Sequence, residues 1–139
     1  VSSPLTATVV MAPHVLDEDI SIASIQKARE AYLSADLKIR LGKYHDDPDS
    51  AFWGWNDIWL DPAFRDWNIE DCLPGIACPV LAIQGEDDEY GTMDQIARIA
   101  RQCRDVEWMK LADCRHSPHK DQPRQVIATV AEFVARILD

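Results

Sequence analysis

Hydrophobic and polar positions divide the chain into strand-like, helical and turn segments. "ATVVMA", residues 7–12, is a short apolar, β-prone run of the kind found in a fully buried parallel strand, and "PHVLDEDIS" follows as a loop. From Ser21 the period becomes helical, with Ile22, Ile25, Arg29, Tyr32 and Leu33 near one face and Asp19 or Ser21 as cap. A second helical piece over 36–44 carries Leu37, Leu41 and Tyr44, and "HDDPDS" breaks it. The next stretch holds Trp53, Trp55, Trp59 and Trp67, four of the five tryptophans; Asp61-Pro62 starts a fresh helical turn inside it. A helical pair with packed aromatics and an apolar pocket roof are both open for this region.

From Pro79 the pattern alternates. "PVLAIQG" reads as a buried strand and "TMDQIARIARQCR" as a helix, with Thr92 and Gln95 at the spacing of a capping box. "VEWMKL" is a further strand. A long helix follows, with Asp121 near its cap and Pro123 near its start. Val126, Ile127, Val130, Phe133, Val134, Ile137 and Leu138 form its apolar face. Strand, helix, strand, helix at this spacing predicts a parallel sheet with right-handed crossovers. The fold class is therefore α/β: three parallel strands, with a mostly helical insertion of roughly sixty residues between the first and second.

At 139 residues a single core is affordable, and the net charge of -10 excludes the clustered basic surface that a phosphate backbone requires. No apolar run approaches the length of a membrane span, and residues 1–13 lack the features of a signal peptide. Cys72, Cys78, Cys103 and Cys114 form no Cys-x-x-Cys pair, so reduced thiols in a cytoplasmic protein are expected. The chain opens on Val1 and enters its first strand almost at once, which suits a piece of a longer polypeptide.

Chemistry in an open α/β sheet gathers at the carboxyl ends of the strands. After "PVLAIQ" come Gly85, Glu86, Asp87, Asp88, Glu89 and Tyr90; after "VEWMKL" comes "ADCRHSPHKDQP", with Cys114, His116, His119 and Asp121. Adjacent parallel strands would bring the acidic and histidine loops together, as a carboxylate that orients an imidazole requires. Asp87 competes with Asp88 for that role, and Glu86 and Glu89 are expected to face solvent. A Cys-x-His-x-x-His metal clip is the rival reading, but no fourth zinc ligand is evident nearby. His14 would also face the carboxyl edge, and His45 the surface.

The order "PVLAIQGEDDEYGT…LADCRHSPHKDQP…VAEFVARIL" resembles the C-terminal portion of the α/β-hydrolase fold superfamily. The resemblance covers nearly the whole chain: residues 1–14 as a core strand, 15–70 as a helical cap, and 71–139 as the end of the core. It implies Asp88, in Gly-x-x-Asp, as triad acid and His116 as triad base, with His119 supporting. Arg115 stands where the family usually has glycine. The serine that this fold carries in a Gly-x-Ser-x-Gly elbow is absent from the sequence.

The expectation is the C-terminal part of a serine-type hydrolase acting on an ester or related acyl (or C–C) bond of a small apolar substrate. His14, Phe52, Trp53, Trp55 and Trp59 would line the substrate pocket, with no metal and no organic cofactor. The first strand would leave an exposed sheet edge favouring a homodimer. The alternative is a non-catalytic module binding a ligand or partner through its tryptophan-rich cap.

Overall fold

The computed structural model describes residues 5–138. They divide into two compact units: one comprising the described residues up to Leu16 together with 68–138, the other Asp17–Trp67.

The first unit is built on a parallel sheet of three strands in the order β1-β2-β3. These are β1 (Thr8–Met11), β2 (Val80–Gly85) and β3 (Val106–Leu111). Thr8 pairs with Val80 and Val80 with Val106, so the strands run in step to their carboxyl ends. All of β2 is buried, as its unbroken apolar run requires. Side chains alternate across the sheet and serve two cores. Leu81 and Ile83 pack with Leu111, Val126 and Phe133 on the side of α6 (Pro123–Leu138). Val80 packs with Val15, Leu73, Ile99 and Cys103 on the side of α4 (Asp94–Gln102).

The second unit contains α1 (Asp19–Ser34), α2 (Leu37–Leu41) and α3 (Pro48–Leu60). Phe52 stacks on Tyr32 with ring centroids 3.9 Å apart, and the Tyr32 hydroxyl donates to Asp49 at 2.7 Å. Arg65 closes the unit by pairing with Asp17 at 2.6 Å and with Asp19.

Several local expectations change. Helix α1 starts at Asp19 rather than Ser21, after Glu18. Its Leu33 is exposed, because the covered face runs through Ser21, Ile25 and Tyr32. "HDDPDS" does more than end α2: Asp47 accepts from the Ser50 amide and Pro48 opens α3. Asp61-Pro62 begins only a 3-10 turn. Helix α4 starts at Asp94, and the Gln95 amide reaches to Val15 N and Leu16 O at 2.7 and 3.0 Å. The long last helix is split into α5 (Pro118–Asp121) and α6, and Ile127, Val134 and Leu138 on its apolar face are exposed.

Strand β1 is only partly buried, and Met11 is exposed, because this strand is an edge. The two edges differ in chemistry. The outer strand β3 carries Glu107, paired with Arg136 at 2.5 Å, and Lys110, lying 4.2 Å from the Trp108 ring. Charges of this kind block strand addition. β1 carries none, and Met11 borders an apolar groove lined by Val126, Ile127, Val130 and Val134. The 139-residue chain is therefore expected to self-associate through the β1 edge. Sedimentation velocity should show Met11→Lys weakening that association by roughly tenfold or more, and Trp108→Lys leaving it unchanged.

Candidate active site

The site forms where β2 and β3 end side by side. Gly85, the last residue of β2, lies so close to the loop after β3 that a side chain would not fit. A Cβ there would stand 2.2 Å from the Cys114 carbonyl oxygen and 2.5 Å from that of Arg115. The main chain bonds across the same gap: Glu86 N donates to Leu111 O at 2.9 Å and Asp87 N to Cys114 O at 3.0 Å. Asp113, with φ of 51°, turns the chain out of β3 in the left-handed region that Asp tolerates. Arg115 keeps the loop anchored. Its amide donates to Asp121 at 2.8 Å and its guanidinium pairs with Glu89 at 3.0 Å.

This closeness delivers His116 to Asp88. The imidazole Nδ1 lies 3.0 Å from both carboxylate oxygens of Asp88. Asp87, the competing acid, is exposed, whereas the Asp88 side chain is 1% exposed and that of His116 36%. Asp88 Oδ1 also accepts from Tyr90 N at 2.8 Å and Gly91 N at 3.3 Å, and Oδ2 from Gln84 Nε2 at 2.6 Å. Burial by itself raises this carboxyl, but the bond from His116, the backbone amides and the imidazole charge together hold it below the usual range. An ionised carboxylate only accepts, so Nδ1 carries the proton in the bond to Asp88, and Nε2 faces away from that bond.

The imidazole has ring neighbours: Tyr90 at 4.8 Å and His14 at 5.8 Å between centroids. Gly91 admits His14, whose Cε1 would stand 3.3 Å from a Cβ at that position. A cleft of 270 Å³ beside His116 is lined by Glu89, Tyr90, Arg115, Ser117, Lys120 and Asp121.

Asp88, His116 and His14 thus come together in the first unit. His119 does not join them; it lines the apolar groove beside Met11. Cys114 is buried, and among the described residues no three or more His, Cys, Asp or Glu side chains form a group able to hold a metal ion. Phe52, Trp53, Trp55 and Trp59 belong to the second unit, where Phe52 is buried and Trp53 and Trp55 meet it edge-on at 5.0 and 5.8 Å. Glu89 is not simply solvated: besides Arg115 it accepts from His116 N at 3.3 Å. Gln84, Tyr90 and Gly91 are site residues that sequence reasoning missed. A polar Gln inside an otherwise apolar strand was the available signal for the first.

Two outcomes follow from this geometry. Gly85→Ala should drive the histidine loop away from β2, lowering stability by about 3 kcal/mol in urea unfolding. The depressed Asp88 carboxyl contributes stability that is present above the unfolded-state value of about 4 and lost as pH falls through the lower folded value. The stability gap between wild type and Asp88→Asn should therefore be wide at neutral pH and close below about pH 4, as unfolding curves at several pH values would read.

No protein-family model matches the chain, and no curated protein matches it. Solved structures do. A proline iminopeptidase from Mycobacterium smegmatis is 16% identical, with a TM-score of 0.64, over 95% of this chain and 57% of that one. A meta-cleavage product hydrolase from Pseudomonas fluorescens IP01 is 14% identical, with a TM-score of 0.65, over 92% and 55%. An esterase from Rhodococcus sp. ECU1013 is 15% identical, with a TM-score of 0.62, over 95% and 56%. The chain spans a little over half the length of these structures. Its parallel sheet and helices have the fold of the C-terminal part of an α/β-hydrolase.

Proposed function

We propose that this chain supplies the acid and base of a Ser-Asp-His triad, and that the whole protein hydrolyses an ester or related acyl bond of a small molecule. The observation that carries this reading is the His116 imidazole, held 3.0 Å from both oxygens of a buried, ionised Asp88 at the carboxyl ends of adjacent parallel strands. Asp88 fixes the tautomer and stabilises the imidazolium; Nε2 takes the proton of the serine hydroxyl as that oxygen attacks the acyl carbon. The same proton then passes to the leaving group, and a water molecule repeats the cycle in reverse to release the acid.

The nucleophile and its oxyanion amides would come from a Gly-x-Ser-x-Gly elbow outside this sequence. The mechanism calls for no metal or organic cofactor. His14, 5.8 Å from His116, is assigned to substrate contact, and Trp53, Trp55 and Trp59, each partly exposed, to the apolar surface of a cap. Phe52 shapes that cap from within, since it is buried against Tyr32. Three buried free thiols, Cys78, Cys103 and Cys114, suit a reducing, cytoplasmic setting.

The test is turnover of p-nitrophenyl acetate by the polypeptide encoded when the reading frame is extended upstream of Val1. His116→Ala is expected to lower kcat by about 10⁶-fold and Asp88→Asn by about 10⁴-fold. The 139-residue chain should show no turnover that depends on His116. Esterase activity of this chain that vanishes with His116→Ala would overturn the assignment.

A further inference from the structure

Gln84 is fully buried one residue before the end of β2, in a strand that is otherwise apolar up to its terminal glycine. Its Nε2 donates twice, to Asp88 Oδ2 at 2.6 Å and to the Gly91 carbonyl at 3.0 Å. Those two acceptors fix the amide orientation, because a flipped amide would set oxygen against a carboxylate and a carbonyl. Its Oε1 finds no hydrogen-bond partner among the described residues. An orphaned buried acceptor is unfavourable, and a methionine would occupy similar volume without one. Packing alone therefore does not account for an amide here; its donor does.

We propose that Gln84 is a positioning residue that locks the Asp88 carboxylate in the rotamer presenting both oxygens to His116. Oδ1 is held by the Tyr90 and Gly91 amides, and Oδ2 has Gln84 as its donor besides His116. By also bonding Gly91 O, the same amide ties the start of the acidic turn to its end. The inference rests on reading Asp88 and His116 as acid and base.

The charged and titratable groups around the carboxylate come from three elements. His116, Arg115 and Cys114 lie on the loop after β3, Asp87, Glu89 and Tyr90 on the acidic turn itself, and His14 on the turn after β1. Gln84 is neutral, so replacing it by a neutral residue removes a donor without altering this set.

The experiment is NMR titration of the 139-residue chain, following Asp88 Cγ and the His116 ring nitrogens. Gln84→Met should raise the Asp88 midpoint by about one pH unit, since a donor to the charged form is lost. Gln84→Glu keeps the shape and supplies an internal control should the methionine variant fail to fold. The introduced carboxyl can donate while protonated, and once ionised it should displace the His116 Nδ1 proton signal, with the two carboxyls titrating in separate steps. An Asp88 midpoint within about 0.2 pH units of wild type, with one-step titration in the glutamate variant, overturns the proposal. Asp88→Asn separates this from the underlying reading, because it should remove the carboxylate bond and with it the downfield His116 Nδ1 proton signal. If that signal is absent from wild type or survives Asp88→Asn unchanged, the acid–base pairing itself fails. If it is lost while the Gln84 variants leave Asp88 unchanged, only the role of Gln84 falls.

Discussion

A backbone contact at Gly85 governs the site. β2 and the loop after β3 approach until a methyl group on Gly85 would overlap the Cys114 and Arg115 carbonyls, and the space is closed by main-chain bonds from Glu86 and Asp87. Two loops that belong to different strands thereby become one rigid surface. The distance between a carboxylate on one and an imidazole on the other is then set by backbone geometry rather than by two flexible side chains searching for each other.

The restraint also makes a buried charge tolerable. Asp88 sits where desolvation opposes ionisation, and the bond from His116, the imidazole charge and the Tyr90 and Gly91 amides outweigh it. None of these donors could be supplied by loops free to move. The sheet supports the arrangement from below with two apolar cores, one on each face of a fully buried central strand. Among the described residues, the exposed Met11 on the β1 edge borders an apolar groove beside α6.

Much of this was legible in the residues. The strands over 80–85 and 106–111 follow from β-branched and apolar runs bounded by Pro, Gly and polar turns, and the helices from their apolar spacing. The pairing of the acidic and histidine loops followed from strand order alone. Features that depended on neighbours were not legible. α3 begins at "HDDPDS" because Asp47 turns to cap it, while the same residues could equally have formed a break. β1 is apolar yet half exposed, because burial depends on what lies beside a strand and not on its composition.

The sequence by itself determined the class of the fold, the order of its elements and the two loops that carry titratable groups, because periodicity and chain order are local properties. Only the tertiary structure decided which acid meets His116. Asp87 and Asp88 are neighbours of the same chemistry, and the turn after Gly85 sends one to solvent and the other inward. It alone also brought Gln84, Tyr90 and His14 around that pair, since these contacts join residues from three strand ends whose distances are fixed by packing.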